Sequence, residues 1–277
     1  MNNIKWYYPV SLAELPLLLE KKGVVPHGGG THLTSRDIGG IEGFICLKNL
    51  DLDYVKKDKN MIEIGAMCSY AGLVSKLKEL SPDNLLIKSL QNAANTPCRN
   101  RITLGGSIGF IPTWSDLAGA LLALDASLIL AGKVSGEVKL SDYIAKKELQ
   151  DQTLVCAVLV EDIKSVSAHY REVKTANDMP LFTVTVLLET DKNKIKSARV
   201  FVVGTTEHIS ELKELEAYLQ GKDVPALDDA DMQERVNVKI VGKRITDPEY
   251  MSYKAKIETA RTVRKALRSF SAAEEAV

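Results

Sequence analysis

Three glycines in a row, directly after an apolar segment, constrain this chain more than any other stretch. Val24-Val25 reads as a short strand, and it runs into His27-Gly28-Gly29-Gly30-Thr31-His32. Successive glycines let the backbone enter φ > 0 and approach a ligand closely. Their N–H groups can form a concavity for an anion, and Thr31 adds a hydroxyl. The spacing is neither GxGxxG nor GxxxxGK[ST], so neither a Rossmann fingerprint nor a P-loop applies. Upstream, Ser11 followed by Glu14 has the form of a capping box, and the helix it opens closes at Gly23. GFICLKNL (43–50) reads as a second buried strand. Residues 1–57 thus describe a small α/β unit.

A second block, 58–163, opens with the strand MIEIGA (61–66). Ser69 caps a helix through Leu80, and a further helix is expected from Asp83 to Ala94. A polar, glycine-bearing segment follows, NTPCRNRITLGGS (95–107), and within it Thr103-Leu104-Gly105-Gly106-Ser107 repeats the combination of hydroxyls and glycines. Asp116 begins the helix LAGALLALDA, either as its N-cap or as a ligand-facing carboxylate. SLILA (127–131) and TLVCAVLV (153–160) read as buried strands. Two such glycine loops in adjacent blocks could hold the two phosphates of one dinucleotide, with Asp116 accepting from a ribose hydroxyl.

The third block, 164–277, starts with the alternating strands FTVTVLLET (182–190) and SARVFVVG (197–204). HISELKELEAYLQ (208–220) reads as one helix stopped by Gly221, and PALDDAD (225–231) as a linker or helix start. Asp247-Pro248-Glu249 places an N-cap, a first-turn proline and an acid ahead of a long helix through Arg268. The tail SAAEEAV is expected to fray. On that last helix Arg261, Arg264, Lys265 and Arg268 form a basic face, read as solvated or as docking a subunit.

Composition removes several classes. There are 36 basic and 36 acidic side chains, so a dedicated nucleic-acid binder is disfavoured. No apolar run reaches the ~18 residues that span a bilayer, and the first residues lack signal-peptide features, so a cytoplasmic location is expected. Cys46, Cys68, Cys98 and Cys156 form no CxxC pair, and His27, His32, His169 and His208 form no HExxH or HxH. The cysteines read as reduced, buried side chains and no metal is expected.

These motifs, taken together, resemble the FAD-binding subunit, or medium chain, of the molybdenum hydroxylases: the xanthine dehydrogenase, carbon monoxide dehydrogenase and nicotinate dehydrogenase group. The resemblance spans nearly the whole chain. Tyr7-Tyr8-Pro9 matches the opening Tyr-x-x-Pro pattern, and Gly28-Gly29-Gly30-Thr31-His32-Leu33 the first flavin motif, Ala-Gly-Gly-Thr-Asp-Leu. Ile64-Gly65-Ala66 matches an Ile-Gly-Ala strand end. The segment Cys98 to Ser107 matches Ile-Arg-Asn-x-Ala-Thr-Ile-Gly-Gly-Asn, and Ser115 to Ala126 matches Ser-Asp-Leu-Ala-x-Ala-Leu-Leu-Ala-Leu-Asp-Ala almost intact. Looser counterparts are Val203-Gly204-Thr205-Thr206 and the basic last helix. The chain departs from the pattern at His32, where the family has an acid, at Ser107, where it has Asn, and over Phe110–Trp114. It has no clear match in Tyr170–Lys174 for the lysine that family members place near the flavin.

The resemblance implies an α+β fold: a two-part FAD-binding α/β domain of the PCMH-like kind, in blocks 1–57 and 58–163, followed by a smaller α+β C-terminal domain over 164–277. It implies FAD as cofactor. Pro26, His27, Gly28, Gly29, Gly30, Thr31, His32 and Leu33 would wrap the pyrophosphate. Thr103, Gly106 and Ser107 would close the other side, Asp116 would take a ribose or ribityl hydroxyl, Ala94 would lie beside the flavin and Leu154 near the adenine. No catalytic residue is implied. The implied partners are a molybdopterin-binding large subunit and a [2Fe–2S] small subunit, with NAD or another acceptor receiving the electrons. A self-contained flavin oxidase and a flavin-free structural subunit remain the alternatives.

Overall fold

The computed structural model describes residues 4–33 and 39–274, and the side chains of 269–274 are left aside. In chain order the first strands are β1 (Lys5–Tyr7), β2 (Val24–His27), β3 (Gly43–Cys46), β4 (Val55–Asp58) and β5 (Met61–Gly65). They continue with β6 (Ser127–Gly132), β7 (Gly136–Lys139), β8 (Thr153–Glu161) and β9 (Val166–Glu172). The last are β10 (Phe182–Asp191), β11 (Lys194–Thr205) and β12 (His208–Glu211). The helices are α1 (Leu15–Leu19), α2 (Tyr70–Leu80), α3 (Leu85–Leu90), α4 (Thr96–Arg99) and α5 (Leu104–Gly109). Then come α6 (Ala118–Ala123), α7 (Leu140–Ala145), α8 (Lys213–Leu219), α9 (Asp229–Glu234) and α10 (Pro248–Glu274).

Two compact units are interleaved along the chain. The first takes residues 1–81, 95–111 and 125–162, and the second takes 82–94, 112–124 and 163–277. Two short stretches of the second sequence block, 82–94 and 112–124, therefore pack with the third.

In the first unit, β1 and β2 each pair in parallel with β3, giving the order β1-β3-β2. One face of this small sheet is buried: Ile45 is fully enclosed, with Leu15, Leu19, Leu47, Leu154 and Cys156 around it and Val24 packed against the cluster. That apolar anchoring fixes the end of β2, from which the glycine loop departs. The approach to β2 is also defined. Ser11 N donates to Glu14 Oε1 at 3.0 Å, and Gly23 turns the chain at φ +70°. A second sheet, β4-β5-β8-β6-β7, is antiparallel throughout. Ser69 caps α2 as its sequence implies, its Oγ accepting from Gly72 N at 3.1 Å.

Burial separates the four thiols of this unit. Cys68 and Cys156 are enclosed, Cys46 and Cys98 half-buried. Desolvation pushes the Cys68 thiol up to about 12 and the Cys156 thiol to about 11. The thiolate is the reactive form, so at pH 8 neither of these two should alkylate in the native protein. We expect Cys46 and Cys98 to react with iodoacetamide first, with all four labelled at similar rates in denaturant, as read by peptide mass spectrometry.

The second unit is built on the antiparallel sheet β12-β11-β10-β9. The alternation in β10 and β11 suggests one wet face, yet Phe182 to Leu188 are all buried. One face joins an apolar cluster that includes Ala255, Val263 and Ala266 of α10 and Leu215 of α8. The other receives α6. A Cβ on Gly119 of that helix would stand 2.9 Å from Thr185 Oγ1, so the small residues of α6 are what permit its close approach.

Several sequence expectations are corrected. The stretch 208–220 is not one helix: its first four residues form β12, because the edge of β11 offers unpaired backbone groups and His208 turns the chain at φ +72°. The helix expected over 83–94 shortens to α3, with Asn84 as its cap. The last helix passes Arg268 and ends at Glu274, carried by its alanine-rich sequence, while residues 275–277 lie outside the described ones. Of the glycine-bearing segment 95–107, Thr96–Arg99 and Leu104 onward are helical, not loop. Strands β1, β4, β7, β9 and β12 were not foreseen, being short or polar. The basic face of α10 is partly committed: Arg264 binds Asp229 Oδ1 at 2.8 Å and Leu227 O at 2.6 Å, and Arg261 pairs with Glu258.

Candidate functional site

The glycine loop in the first unit is locked by the protein itself. A Cβ on Gly29 would lie 1.5 Å from the carbonyl oxygen of Arg101, and Arg101 Nη2 donates back to Gly29 O at 3.0 Å. Gly30 sits at φ +72°, where a Cβ would also stand 2.8 Å from His27 Nε2. A Cβ on Gly28 would meet Thr103 Oγ1 at 2.8 Å. Each glycine therefore has its own steric reason, and the two glycine-bearing segments touch.

Donors distinguish the two segments. Among the described residues no protein acceptor takes the N–H of Gly29 or Gly30. Two adjacent uncommitted N–H groups, one of them on the left-handed Gly30, are donors that an anion can take. In the other segment the donors are used internally. Leu104 N bonds Cys68 O at 2.9 Å, Gly105 N bonds Ala66 O at 2.8 Å, and Gly106 N reaches Thr103 Oγ1 at 3.3 Å. Ser107 Oγ donates to Thr103 O and accepts from the Tyr70 hydroxyl at 2.9 Å. A Cβ on Gly105 would fall 2.6 Å from that of Ala66, so this glycine serves close packing. The pair forms a wall beside the loop, not a second source of free N–H groups.

Around the loop the side chains are aromatic. His27 meets Trp6 edge-on with centroids 5.0 Å apart and Phe44 at 5.5 Å. His32, the substitute for the family acid, stacks on Phe110 with centroids 3.6 Å apart and planes 20° apart. Phe110 lies in the segment 110–114 that the resemblance marks as a departure, so the two departing side chains touch each other. Pro26 lies in β2, paired with Ile45, and Thr31 and Leu33 continue the half-buried loop. Leu154 is buried in the core beneath β2.

Asp116 and Ala94 belong to the second unit. Asp116 is not a helix cap. The N-cap position of α6 is Leu117, and the first N–H groups are met by Ser115, whose Oγ accepts from Leu117 N at 3.3 Å and Ala118 N at 3.0 Å. The Asp116 carboxylate is gripped by Arg171, Nε to Oδ1 at 2.5 Å and Nη2 to Oδ2 at 3.3 Å, with both side chains about nine-tenths buried. Ala94 adopts φ +54°, uncommon for a residue with a Cβ. Trp114 lies under the guanidinium of Arg244, 5.8 Å from its ring centre. Arg101 and Arg171 are the residues that sequence reasoning missed. Each acts on a partner far away in the chain, and no local pattern marks them.

No group of three or more metal-binding side chains occurs among the described residues, and no helix there is long and apolar enough to cross a membrane.

Comparison with known proteins places the chain in a family. A family profile described as "FAD binding domain in molybdopterin dehydrogenase" matches residues 2–160. The chain belongs to this family, and its cofactor is FAD. It is 27% identical over 177 residues to the glyceraldehyde dehydrogenase medium chain of Sulfolobus acidocaldarius, covering 62% of this chain and 63% of that one. It is 25% identical over 190 residues to the nicotinate dehydrogenase FAD-subunit of Eubacterium barkeri, covering 63% and 64%. The matches thus span just under two thirds of these relatives. In fold it is similar to carbon monoxide dehydrogenase from Hydrogenophaga pseudoflava, with a TM-score of 0.87 at 18% identity over 96% of this chain and 97% of that one. Quinoline 2-oxidoreductase from Pseudomonas putida 86 gives a TM-score of 0.86 at the same identity and the same coverage of both chains. The α+β architecture is that of these solved chains.

The residues present fit the cofactor. Two adjacent N–H groups with no acceptor among the described residues, on a loop fixed by its packing against Arg101, His27 and Thr103, are what an uncharged backbone can offer a pyrophosphate.

Proposed function

We propose that this chain is the FAD-binding electron-transfer subunit of a molybdenum-containing hydroxylase or dehydrogenase. Its partners are a molybdopterin-binding large subunit and a [2Fe–2S] small subunit, and the electrons leave to NAD or another acceptor. The observation that carries the reading is the family match over 2–160, joined to a glycine loop whose free N–H groups suit a pyrophosphate. When bound, FAD supplies the redox chemistry, and the protein supplies position and electrostatics.

The residues divide that work. Pro26 to Leu33 wrap the phosphates, chiefly by the N–H groups of Gly29 and Gly30. Thr103, Gly106 and Ser107 give the neighbouring wall, whose hydroxyls are already oriented by Tyr70 and by the start of α5. Asp116 takes a sugar hydroxyl, Ala94 lies beside the flavin and Leu154 supports the adenine end from within the core. Residues 1–57 and 58–163 serve as the two parts of the FAD-binding domain, and 164–277 as its C-terminal companion. Neither a general base nor a metal ligand is needed here, because substrate oxidation belongs to the large subunit. A cytoplasmic location follows for a complex of this kind.

Co-expression tests this. The chain, its molybdopterin-binding partner and its iron–sulfur partner should elute as one yellow complex at micromolar concentration and physiological salt. Obligate complexes of this sort bury on the order of 2,000 Å² or more. Yellow chain eluting alone would replace the subunit assignment by that of an independent flavin oxidase. A colourless chain inside an intact complex would make it a structural subunit. Bleaching of the flavin by NADH under anaerobic conditions would identify NAD as the acceptor.

A further inference from the structure

Arg171 joins more separate pieces of the second unit than any other side chain described above. Its Nε and Nη2 hold the two oxygens of Asp116, Nη1 donates to Asn92 O at 2.7 Å, and Nη2 also reaches Asp178 O at 3.0 Å. Its neighbour in this task is Arg244, which donates to Met179 O at 2.7 Å and Pro180 O at 2.8 Å. Three consecutive carbonyls, 178 to 180, are thereby held by two guanidinium groups, and the connection between β9 and β10 is pinned.

We infer that Arg171 is a positioning residue for FAD, presetting the Asp116 carboxylate and the Asn92–Ala94 backbone as one rigid surface. The inference rests on the reading that Asp116 takes a sugar hydroxyl of the cofactor. A planar guanidinium that engages both oxygens of a carboxylate fixes its rotation, which a single-point ammonium does not. With that rotation fixed, the lone pairs left over point in set directions before any ligand arrives, and the ordering cost is removed from binding. The same fork holds Asn92 O, two residues before Ala94, whose left-handed backbone persists only if its surroundings impose it. A mere staple would need neither the two-oxygen geometry nor the bond to Asn92 O. His169 completes the surroundings: its buried Nε2 lies 3.7 Å from Asp116 Oδ1 without bonding it, so the orientation of the carboxylate is left to Arg171.

The test uses the full chain freed of flavin, titrated with FAD by quenching of flavin fluorescence. Visible circular dichroism of the bound flavin and melting of the flavin-free chain are recorded alongside. Arg171→Gln should weaken FAD binding by at least about tenfold, the order expected for one misdirected charge-assisted hydrogen bond. Arg171→Lys should recover part of that loss, with an altered flavin dichroism. The double variant Arg171→Gln with Asp116→Asn should bind no more weakly than the weaker single variant, because both act on one contact. Wild-type affinity in Arg171→Gln, while Asp116→Asn is weakened, would overturn the positioning role and leave the Asp116 assignment standing. So would losses that multiply in the double variant. Unchanged binding in Asp116→Asn would instead remove Asp116 from the FAD site, and the inference would fall with it. If Arg171→Gln does not fold, Arg171→Lys decides: unshifted affinity and unshifted dichroism would overturn the inference.

Discussion

Gly29→Val should cost the protein both its cofactor and part of its stability. The new Cβ would stand 1.5 Å from the Arg101 carbonyl oxygen, a backbone atom that cannot swing aside as a side chain would. Either the glycine loop or the segment carrying Arg101 must move, and the bond from Arg101 Nη2 to Gly29 O goes with it. Forcing atoms into a packed site of this kind costs about 3 kcal/mol. For a chain of this size that is a fall of roughly 6–12 °C in the melting temperature. Displacing the loop also misdirects two phosphate donors, worth roughly 1.5–3 kcal/mol each, so FAD affinity should drop about a hundredfold or more. Gly40→Ala is the matched control, since a Cβ there meets nothing within 4 Å, and it should change neither quantity. Calorimetry of the flavin-free proteins and an FAD titration check both parts. Stoichiometric FAD and a wild-type melt in Gly29→Val would show that this loop neither packs on Arg101 nor holds the pyrophosphate.

The sequence marks these glycines as a ligand-facing loop but not as residues packed against another segment. That three glycines follow a buried strand is a local fact, readable because Val24 and Val25 are apolar and the loop chemistry is contiguous. That Gly29 faces a carbonyl 72 residues away is a tertiary fact, and no periodicity carries it. The same division runs through the fold. Caps at Ser11, Ser69 and Asp247 were legible because a cap acts within three or four residues: Asp247 Oδ1 does accept from Tyr250 N, at 2.9 Å. Strand β12 was not, because the strong helix formers from Leu212 to Gln220 make the whole of 208–220 resemble one helix. Only the open edge of β11 turns those residues into a strand. The burial of β10 on both faces was likewise hidden, since its second cover, α6, comes from a stretch that the sequence reading places in another block.

Asp116→Ala should lower the stability of the flavin-free chain by about 3–5 kcal/mol, the usual consequence of leaving one member of a buried ion pair without its partner. The pair qualifies, because the two side chains are only 10% and 9% exposed. The expected fall in melting temperature is roughly 6–20 °C at pH 7. Sequence alone suggests a different outcome. With Asp116 read as a helix cap or as a free ligand to a sugar, its amide should leave apo melting nearly unchanged. The structure removes both grounds for that. The first N–H groups of α6 are taken by Ser115 Oγ, so the helix keeps its start in any Asp116 variant. The carboxylate is engaged from a residue 55 positions away, so the charge matters before any cofactor is present. Asp116→Asn should therefore fall between wild type and alanine, since its oxygen still accepts from Arg171 while the charge is lost. A cycle with Arg171→Ala separates the pair from its surroundings. Arg171 also serves Asn92 O and Asp178 O, so Arg171→Ala should destabilise at least as much as Asp116→Ala. The double variant should lose less than the sum of the two, by an interaction energy of about 0.5–3 kcal/mol. A strictly additive double variant would mean that the guanidinium and the carboxylate do not sense each other in solution. Asp116 would then be held by its backbone alone, and its place in the fold would owe nothing to Arg171.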